Sequence, residues 1–551
     1  MPIEKSNPII IVLIFKKVFL GTHYILYNIM SSCNKNMTYD EKELNILREA
    51  VDIAQDRAGK KIIRNPQVKE IITIVEDFLK DNKTCCYGGT AINNILPTED
   101  QFYDKSVELP DYDFFSPNAL DDAKKLADIY YKAGFDEVEA KAGVHHGTYK
   151  VFVNFLAVAD ITHMDTHLFN QVYKDSIKVN NIHYAPPDYL RMAAYLELSR
   201  PAGDVSRWEK VMKRVSLLNK NYPMKNPRCD DVQFQRSMEE DGIKSADIFT
   251  SIRDSFIDQG LVFFGGYASS LYSKYMPKKY ERAISKIPDF DILAEDPNKA
   301  AIIVKERLSD NGIKNVKIIQ KEGAGEIIAP HVEIRIGVDA LAFIYQPLAC
   351  HSYNIVKIGK KKIKVATIDT MLSMYLAFIY ANRPYYNKDR ILCMAQYLFQ
   401  VQQKNRLQQK GVLRRFSVNC YGKQSTLESI RNEKSEKFKE LEGKRGTREY
   451  EEWFMRYVPN DNDKSNNKEK GYGKKSKKGN NNSKKGNNNS KKGNNNSKKG
   501  NNNSKKGNNN SKKGNNKFTK RRPGNKKRSN KNTLKKNTLK NKMNPLFMNL
   551  F

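Results

Sequence analysis

Apolar residues recur at three- and four-residue intervals from Val68 through Ile71, Ile72 and Val75 to Phe78 and Leu79. That period predicts a helix over 66–81 with one buried face, opened by Asn65-Pro66. Upstream, Thr38-Tyr-Asp-Glu41 has the form of a capping box and predicts a helix running towards Lys60. The pattern then shortens. Cys85–Tyr87 reads as a brief strand entering Gly88-Gly89, Ala91–Leu96 as a helix, Asp111–Phe115 as a strand and Asn118–Lys132 as a helix. The stretch Val144–Val158 reads as a long strand or hairpin leading to Asp160, with Val151, Val153 and Phe155 suited to one buried face. Helices are predicted again over 188–199 and 205–219.

The same succession then returns. Phe263-Phe264-Gly265-Gly266-Tyr267 matches Cys86-Tyr87-Gly88-Gly89-Thr90, and Pro288-Asp289-Phe290-Asp291 matches Pro110-Asp111-Tyr112-Asp113. First glycine to first aspartate is 23 residues in one copy and 24 in the other. Asp113 to Asp160 is 47 residues, and Asp291 to Asp339 is 48. Asp188…Arg200-Pro201…Arg207 is likewise matched by Asp369…Arg383-Pro384…Arg390. This spacing implies an internal duplication with an offset of about 177–183 residues. The expected fold class is α/β (α+β): two tandem units with mixed sheets and flanking helices, at 38–225 and 226–458. Residues 1–37 form an N-terminal extension and 459–551 a disordered basic tail.

Charge separates the tail from the rest. Residues 464–551 hold 29 Lys and Arg against a single acid, Glu469, which leaves only +6 of the chain's +34 for the other 463 residues. Lys-Lys-Gly-Asn-Asn-Asn-Ser repeats between Lys477 and Ser511 contain no apolar position, so the seven-residue period is not a coiled coil. Such a segment buries too little surface to offset its ordering entropy. Its lysine clusters suit phosphate backbones without base selection, although a solubilising tail or a nuclear address fits the same composition. The apolar run from Pro8 to Leu20 is interrupted by Lys16-Lys17 and is shorter than the ~20 residues a spanning helix needs. No membrane partner is expected, and translation from Met30 or Met37 is the favoured reading of this extension, with a signal anchor as the lesser alternative. Seven scattered cysteines, none in a C-x-x-C pair, suggest neither disulfides nor zinc and suit a reducing compartment.

The candidate chemistry lies where glycine turn meets acid pair. Gly88-Gly89-Thr90 at a helix start lets backbone N–H groups approach phosphate. Asp111 and Asp113, two residues apart on a strand, face the same way, and Asp160 follows a later β-segment. Carboxylates so gathered suit hard divalent cations. Phosphate and metal together read as nucleotidyl transfer. Asp-Tyr-Asp alone is a weak signal; the glycine turn, the third acid and the repetition of the set strengthen it. Arg200, Arg207, Lys210 and Arg214 follow on helices. They are either a clamp for the β- and γ-phosphates or a solvated face. His145-His146 read as turn residues, Trp208 and Trp453 as core, and Cys85-Cys86 as packing residues.

The set resembles the nucleotidyltransferase fold of DNA polymerase β and the poly(A) polymerases, except that residues 97–110 lengthen the gap between the glycine turn and the acid pair. YGGTAINN, PDYDFFSP, VHHGTYKVFVNF and SRPAGDVSRWEKV look more closely like the poly(A) polymerase catalytic subunits of large cytoplasmic DNA viruses. The resemblance covers roughly 40–455 and is specific around 86–214. It implies template-independent addition of AMP from ATP to an RNA 3′ end with two Mg²⁺ or Mn²⁺ ions. Asp111, Asp113 and Asp160 would then be catalytic and metal-binding, and Gly88, Gly89, Thr90, Arg200, Arg207 and Lys210 would bind ATP. It also implies mRNA as partner, work alone, as a homodimer or with a viral processivity partner, and a place in the host cytoplasm or virion. The first unit, which keeps Thr90 where the second has Tyr267, is expected to be active, although the second retains Asp289, Asp291 and Asp339. A 2′-5′ oligoadenylate or CCA-adding enzyme, a DNA-directed polymerase and a non-catalytic RNA-binding scaffold remain competing readings.

Overall fold

In the computed structural model, residues 37–104, 106–224, 229, 242–276, 278 and 290–460 are described, and all belong to one compact unit. The N-terminal extension, Asp289 and the basic tail lie outside them. Helix α1 (Tyr39–Ile63) is capped by Thr38 and Glu41 reciprocally, and α2 (Pro66–Asp81) is capped by Asn65. The helix α2 buries Val68, Ile71, Val75, Phe78 and Leu79. Each such side chain contributes roughly 1.5–3 kcal/mol when fully buried. Among its described side chains α1 buries none.

The first lobe continues through β1 (Cys85–Cys86), α3 (Gly88–Ile95), β2 (Tyr112–Ser116), α4 (Ala119–Lys132), β3 (Val138–Ala142), β4 (Thr148–Val153) and β5 (Leu156–His163). It closes with α5 (Thr166–Lys174), β6 (Ile177–Val179), β7 (Ile182–Tyr184), α6 (Pro187–Leu198) and α7 (Trp208–Asn221). The 144–158 stretch is a hairpin. Phe155, expected on its buried face, instead occupies the turn with φ 65° and is 84% exposed. The two-residue Asn154-Phe155 turn has positive φ at both positions, the geometry that matches strand twist.

The second lobe repeats the order: α8 (Gly242–Asp258), β8 (Val262–Phe264), α9 (Gly265–Ser270), β9 (Phe290–Leu293), α10 (Pro297–Asp310), β10 (Val316–Lys321), β11 (His331–Ile336) and β12 (Asp339–Tyr345). Then come β13 (His351–Ile358), β14 (Lys361–Ala366), α11 (Ile368–Ala381), α12 (Lys388–Lys404) and β15 (Cys420–Tyr421). After β15 the chain leaves the second lobe. Helices α13 (Leu427–Leu441) and α14 (Arg448–Phe454) lead to β16 (Arg456–Tyr457), which pairs antiparallel with β3 as the edge of the first sheet. Lys124–Glu451, Arg448–Asp121 and Tyr457–Asp128 contacts hold this segment to α4. A linear division at 225/226 therefore misplaces the last thirty or so described residues.

Each lobe holds an 8-stranded mixed sheet, ordered β16-β3-β4-β5-β2-β1-β7-β6 and β10-β11-β12-β9-β8-β14-β13-β15. Strand for strand the duplicated pairings agree: β1–β2 and β8–β9 are antiparallel, and β2–β5 and β9–β12 parallel. The corresponding helices α6 and α11 pack together, Tyr189 edge-on to Tyr380 at 5.3 Å, while Ser352 N–H donates to the Ser199 carbonyl.

Cysteines correct a second expectation. Cys229–Cys393 and Cys350–Cys420 are bonded, with Cα–Cα distances of 5.3 and 5.1 Å, while Cys85 and Cys86 are free and buried. Partners 164 and 70 residues apart in sequence leave no local spacing signature. No helix among the described residues is long and apolar enough to cross a membrane.

Candidate active site

The site is built around β2. Tyr87 N–H donates to the Asp113 carbonyl, and the chain then turns through Gly88 at φ +74°. A Cβ at Gly88 would lie 2.8 Å from Asp113 Oδ2, so glycine is required both for the left-handed backbone and for the close approach. The duplicate behaves alike: Gly265 has φ +66° and lies against Asp291. Helix α3 begins directly at the Gly88 turn.

Asp111 lies exposed just before β2 and Asp113 half-buried within it. Asp160 stands in the middle of β5, not at its end, directly opposite Asp113 across a parallel pairing. The three carboxyls share one patch of field. Although Asp111 reaches solvent, the protein packed around its carboxyl and then Asp160 push it up, and burial, Asp111 and Asp160 push Asp113 up to about 8. Lys150 opposes both shifts. It sits opposite Asp160 on β4, and its Nζ donates to Asp160 Oδ2 at 2.5 Å.

Positive charge approaches from α7 and the turn that precedes it. Lys210 acts on Asp111 and Arg207 on Asp113, and Arg207 also pairs with Glu197 at 3.2 Å. Arg214 reaches furthest: its Nη2 donates to Tyr103 Oη at 2.6 Å, and both atoms would lie 2.5 Å from a Cβ at Gly89. Tyr103 comes from the 97–110 insertion. That insertion is folded back by Asn93 Oδ1, which accepts from the Phe102 and Tyr103 N–H groups. Asp111, Asp113, Asp160, Gly88, Gly89, Arg207 and Lys210 are thus brought together.

Two expected members are engaged in other contacts: Thr90 beside the acids, Arg200 away from them. Thr90 is buried and its hydroxyl donates to the Asp111 carbonyl at 2.6 Å, so it fixes the acid-bearing strand. Arg200 faces Glu197 and His351, with a buried Nε that has no partner among the described residues. Lys150 and Tyr103 carry no sequence signal, because only strand register and a folded insertion place them here.

The second lobe differs where the chemistry would be. Phe343, not Asp339, stands opposite Asp291; Asp339 is four residues earlier, just after the hairpin turn. The near-equal spacing of 47 and 48 residues therefore misaligns the third acid. Glu333 occupies the Lys150 position, opposite Phe343, and is neutralised by Lys321 and Arg335. Tyr345 and Tyr386 lie within the field of Asp291, and Phe343, Phe378 and Tyr385 stack around them. Trp208, expected in the core, is half-buried, with Nε1 donating to the Glu197 carbonyl at 3.0 Å.

A glycine turn against a strand-borne aspartate, Gly88 on Asp113 and Gly265 on Asp291, occurs twice in the same strand order within a mixed α/β fold of two sheets. Residues 73–204 match the family described as the poly(A) polymerase catalytic subunit. The chain is 33% identical over 204 residues to a candidate poly(A) polymerase catalytic subunit of Acanthamoeba polyphaga mimivirus, covering 34% of this chain and 33% of that protein. It is 33% identical over 178 residues to one from African swine fever virus (strain Badajoz 1971 Vero-adapted), covering 31% and 36%. The chain thus spans about a third of the length of these curated relatives. The crystal structure of the Megavirus polyadenylate synthase shares the fold, with a TM-score of 0.63 at 20% identity over 77% of this chain and 86% of that one.

Proposed function

We propose that the protein is a polynucleotide adenylyltransferase that extends RNA 3′ ends with AMP from ATP without a template, using the first lobe. The observation that carries this reading is the opposition of Asp113 and Asp160 across β2 and β5, with Gly88 against Asp113.

The donor set fits Mg²⁺ or Mn²⁺. Burial first, and then repulsion from the neighbouring carboxyls, raise Asp111 and Asp113, which suits oxygen donors gathered for a hard cation. As the side chains stand, no three acidic, histidine or cysteine groups among the described residues enclose an ion. Asp160 is turned to Lys150, and that pair opens to complete the set. Asp111, Asp113 and Asp160 would hold the ions, whose chemistry is to acidify the 3′-hydroxyl and neutralise the leaving pyrophosphate.

The chain's own groups do the positioning. The Gly88-Gly89 turn and the start of α3 face the triphosphate, where N–H groups favour anions. Arg207, Lys210 and Arg214 meet charge on its outer phosphates, which draws the α-phosphate towards the carboxylates. The 3′-oxygen attacks phosphorus in line, the P–O bond to pyrophosphate breaks, and the hydroxyl proton leaves to solvent. Incubation with an oligo-RNA, Mg²⁺ or Mn²⁺ and each nucleoside triphosphate separately tests the reading. A ladder with ATP alone is expected; no extension with any nucleotide, or extension only on a template, would overturn it.

A further inference from the structure

The carboxylates end a row of side chains that crosses the open face of the first sheet. Register pairs Asp113 with Asp160, Asp160 with Lys150, Lys150 with Lys141 and Lys141 with Arg456. Residues directly opposite on neighbouring strands point to the same side. Contacts between them agree: Lys150 bonds Asp160, Lys141 lies 4.1 Å from the Phe152 ring centroid, and Arg456 pairs with Glu139 at 2.7 Å. The opposite face of these strands is packed on α4, with Val138, Ala140, Tyr149, Val151 and Val153 buried. Lys150, Phe152 and Lys141 remain half-exposed, and Arg456 is 79% exposed.

At the edge the row opens into a cleft of about 480 Å³ lined by Lys141, Lys434, Trp453, Arg456 and their neighbours. Trp453, expected in the core, is half-buried here and lies 4.1 Å from the His146 ring. Among the described residues the one acid lining this cleft, Glu139, is already held by Lys141 and Arg456. Cations alternating with aromatic faces suit single-stranded nucleic acid, which needs charge for its backbone and flat surfaces for its bases. Neither the internal duplication nor the second lobe supplies this edge. It exists because β16 returns to the first sheet.

We propose that the row from Lys150 through Lys141 and Phe152 to Arg456 and Trp453 is the track along which the RNA strand leaves the site, behind its 3′ end. The proposal rests on the polymerase reading for its direction, since the 3′-hydroxyl must lie at the carboxylates. Strands ~4.8 Å apart put the edge about 19 Å from Asp113. At ~3.4 Å per stacked nucleotide, the track holds about five or six nucleotides.

The test is photocrosslinking of the full chain, without ATP or divalent cation, to a nonanucleotide carrying 4-thiouridine about five nucleotides from its 3′ end. Crosslinked peptides from 141–152 or 453–456 are expected. They should fall about tenfold in Lys141→Gln/Arg456→Gln and be unchanged in Arg448→Gln, whose partner is Asp121 on α4. Crosslinks confined to other segments, or insensitive to the double variant, would overturn the track. In extension assays the double variant should raise KM for the nonanucleotide about tenfold and leave kcat, and KM for a trinucleotide, unchanged. Equal loss on both primers would also overturn it. Because crosslinking needs no turnover, a wild-type chain that crosslinks on the track yet extends nothing would refute the polymerase reading alone.

Discussion

Asp113 is the residue on which charge, backbone and register converge. Its carboxyl, raised to about 8 by burial and by Asp111 and Asp160, binds a proton in the folded chain that an unfolded Asp, with a pKa of ~3.9, has lost. The favourable contribution is complete below the unfolded value and is lost as pH rises through the folded one. The contribution of Asp113 to the thermal stability of the cation-free protein should therefore fall as pH rises from about 4 towards about 8, against the opposite trend of His331 and His351, whose burial disfavours their charged forms and adds stability as pH rises towards their unfolded value. Asp113→Asn should remove much of that slope in pH-resolved melting curves, and an unchanged slope would place the shifted group elsewhere. Lys150 is the counterweight. It holds Asp160 in a part-exposed pair.

At the scale of elements, the glycine turn and the strand it rests on act as one device in both lobes, but among the described residues only the first lobe sets a second aspartate opposite the one on that strand. Gly88→Ala would strain a backbone at φ +74° and press a methyl against Asp113; Gly265→Ala would do the same at φ +66° against Asp291. Each should cost roughly 1–3 kcal/mol of stability. Extension per folded molecule should fall more than about tenfold for the first and change little for the second, as active-site titration with melting data can resolve. The turn, its helix and the strand of the acid pair were legible in the sequence because they are local: a glycine pair and an alternation lie close together in the chain. What depends on pairing between distant strands was not. Asp339 matched Asp160 in spacing, yet the hairpin turn falls immediately before it and hands its place to Phe343. Phe155 alternated correctly with Val153 until the turn intervened. Lys150 was one lysine among many until β4 lay against β5.

For the molecule as a whole, the duplication supplies two sheets that differ at the acid position. The first lobe keeps its acid patch open beside α7 and the 97–110 insertion. In the second, Phe343, Tyr345, Phe378, Tyr385 and Tyr386 surround the acid position, and α11 supports α6 of the first lobe. The return of 427–457 to the first sheet was hidden in sequence, since nothing in a two-residue strand names its partner. The basic tail belongs to this scale too. With 29 cationic residues from Lys464 onward, the chain is, on the adenylyltransferase reading, tethered to its product, which raises local RNA concentration. Deleting 464–551 should leave the melting temperature unchanged and shorten product ladders at moderate salt, with less effect at low salt. Unchanged length distributions would refute the tether.

The proposed division of labour between the lobes is tested most directly by comparing Asp113→Asn with Asp291→Asn in the full chain, reading ATP-dependent extension of an oligo-RNA on a gel with melting curves to confirm folding. Asp113→Asn is expected to lower extension about a thousandfold or more, while Asp291→Asn stays within about threefold of the wild type. Extension that survives Asp113→Asn and disappears with Asp291→Asn would contradict the assignment of catalysis to the first lobe.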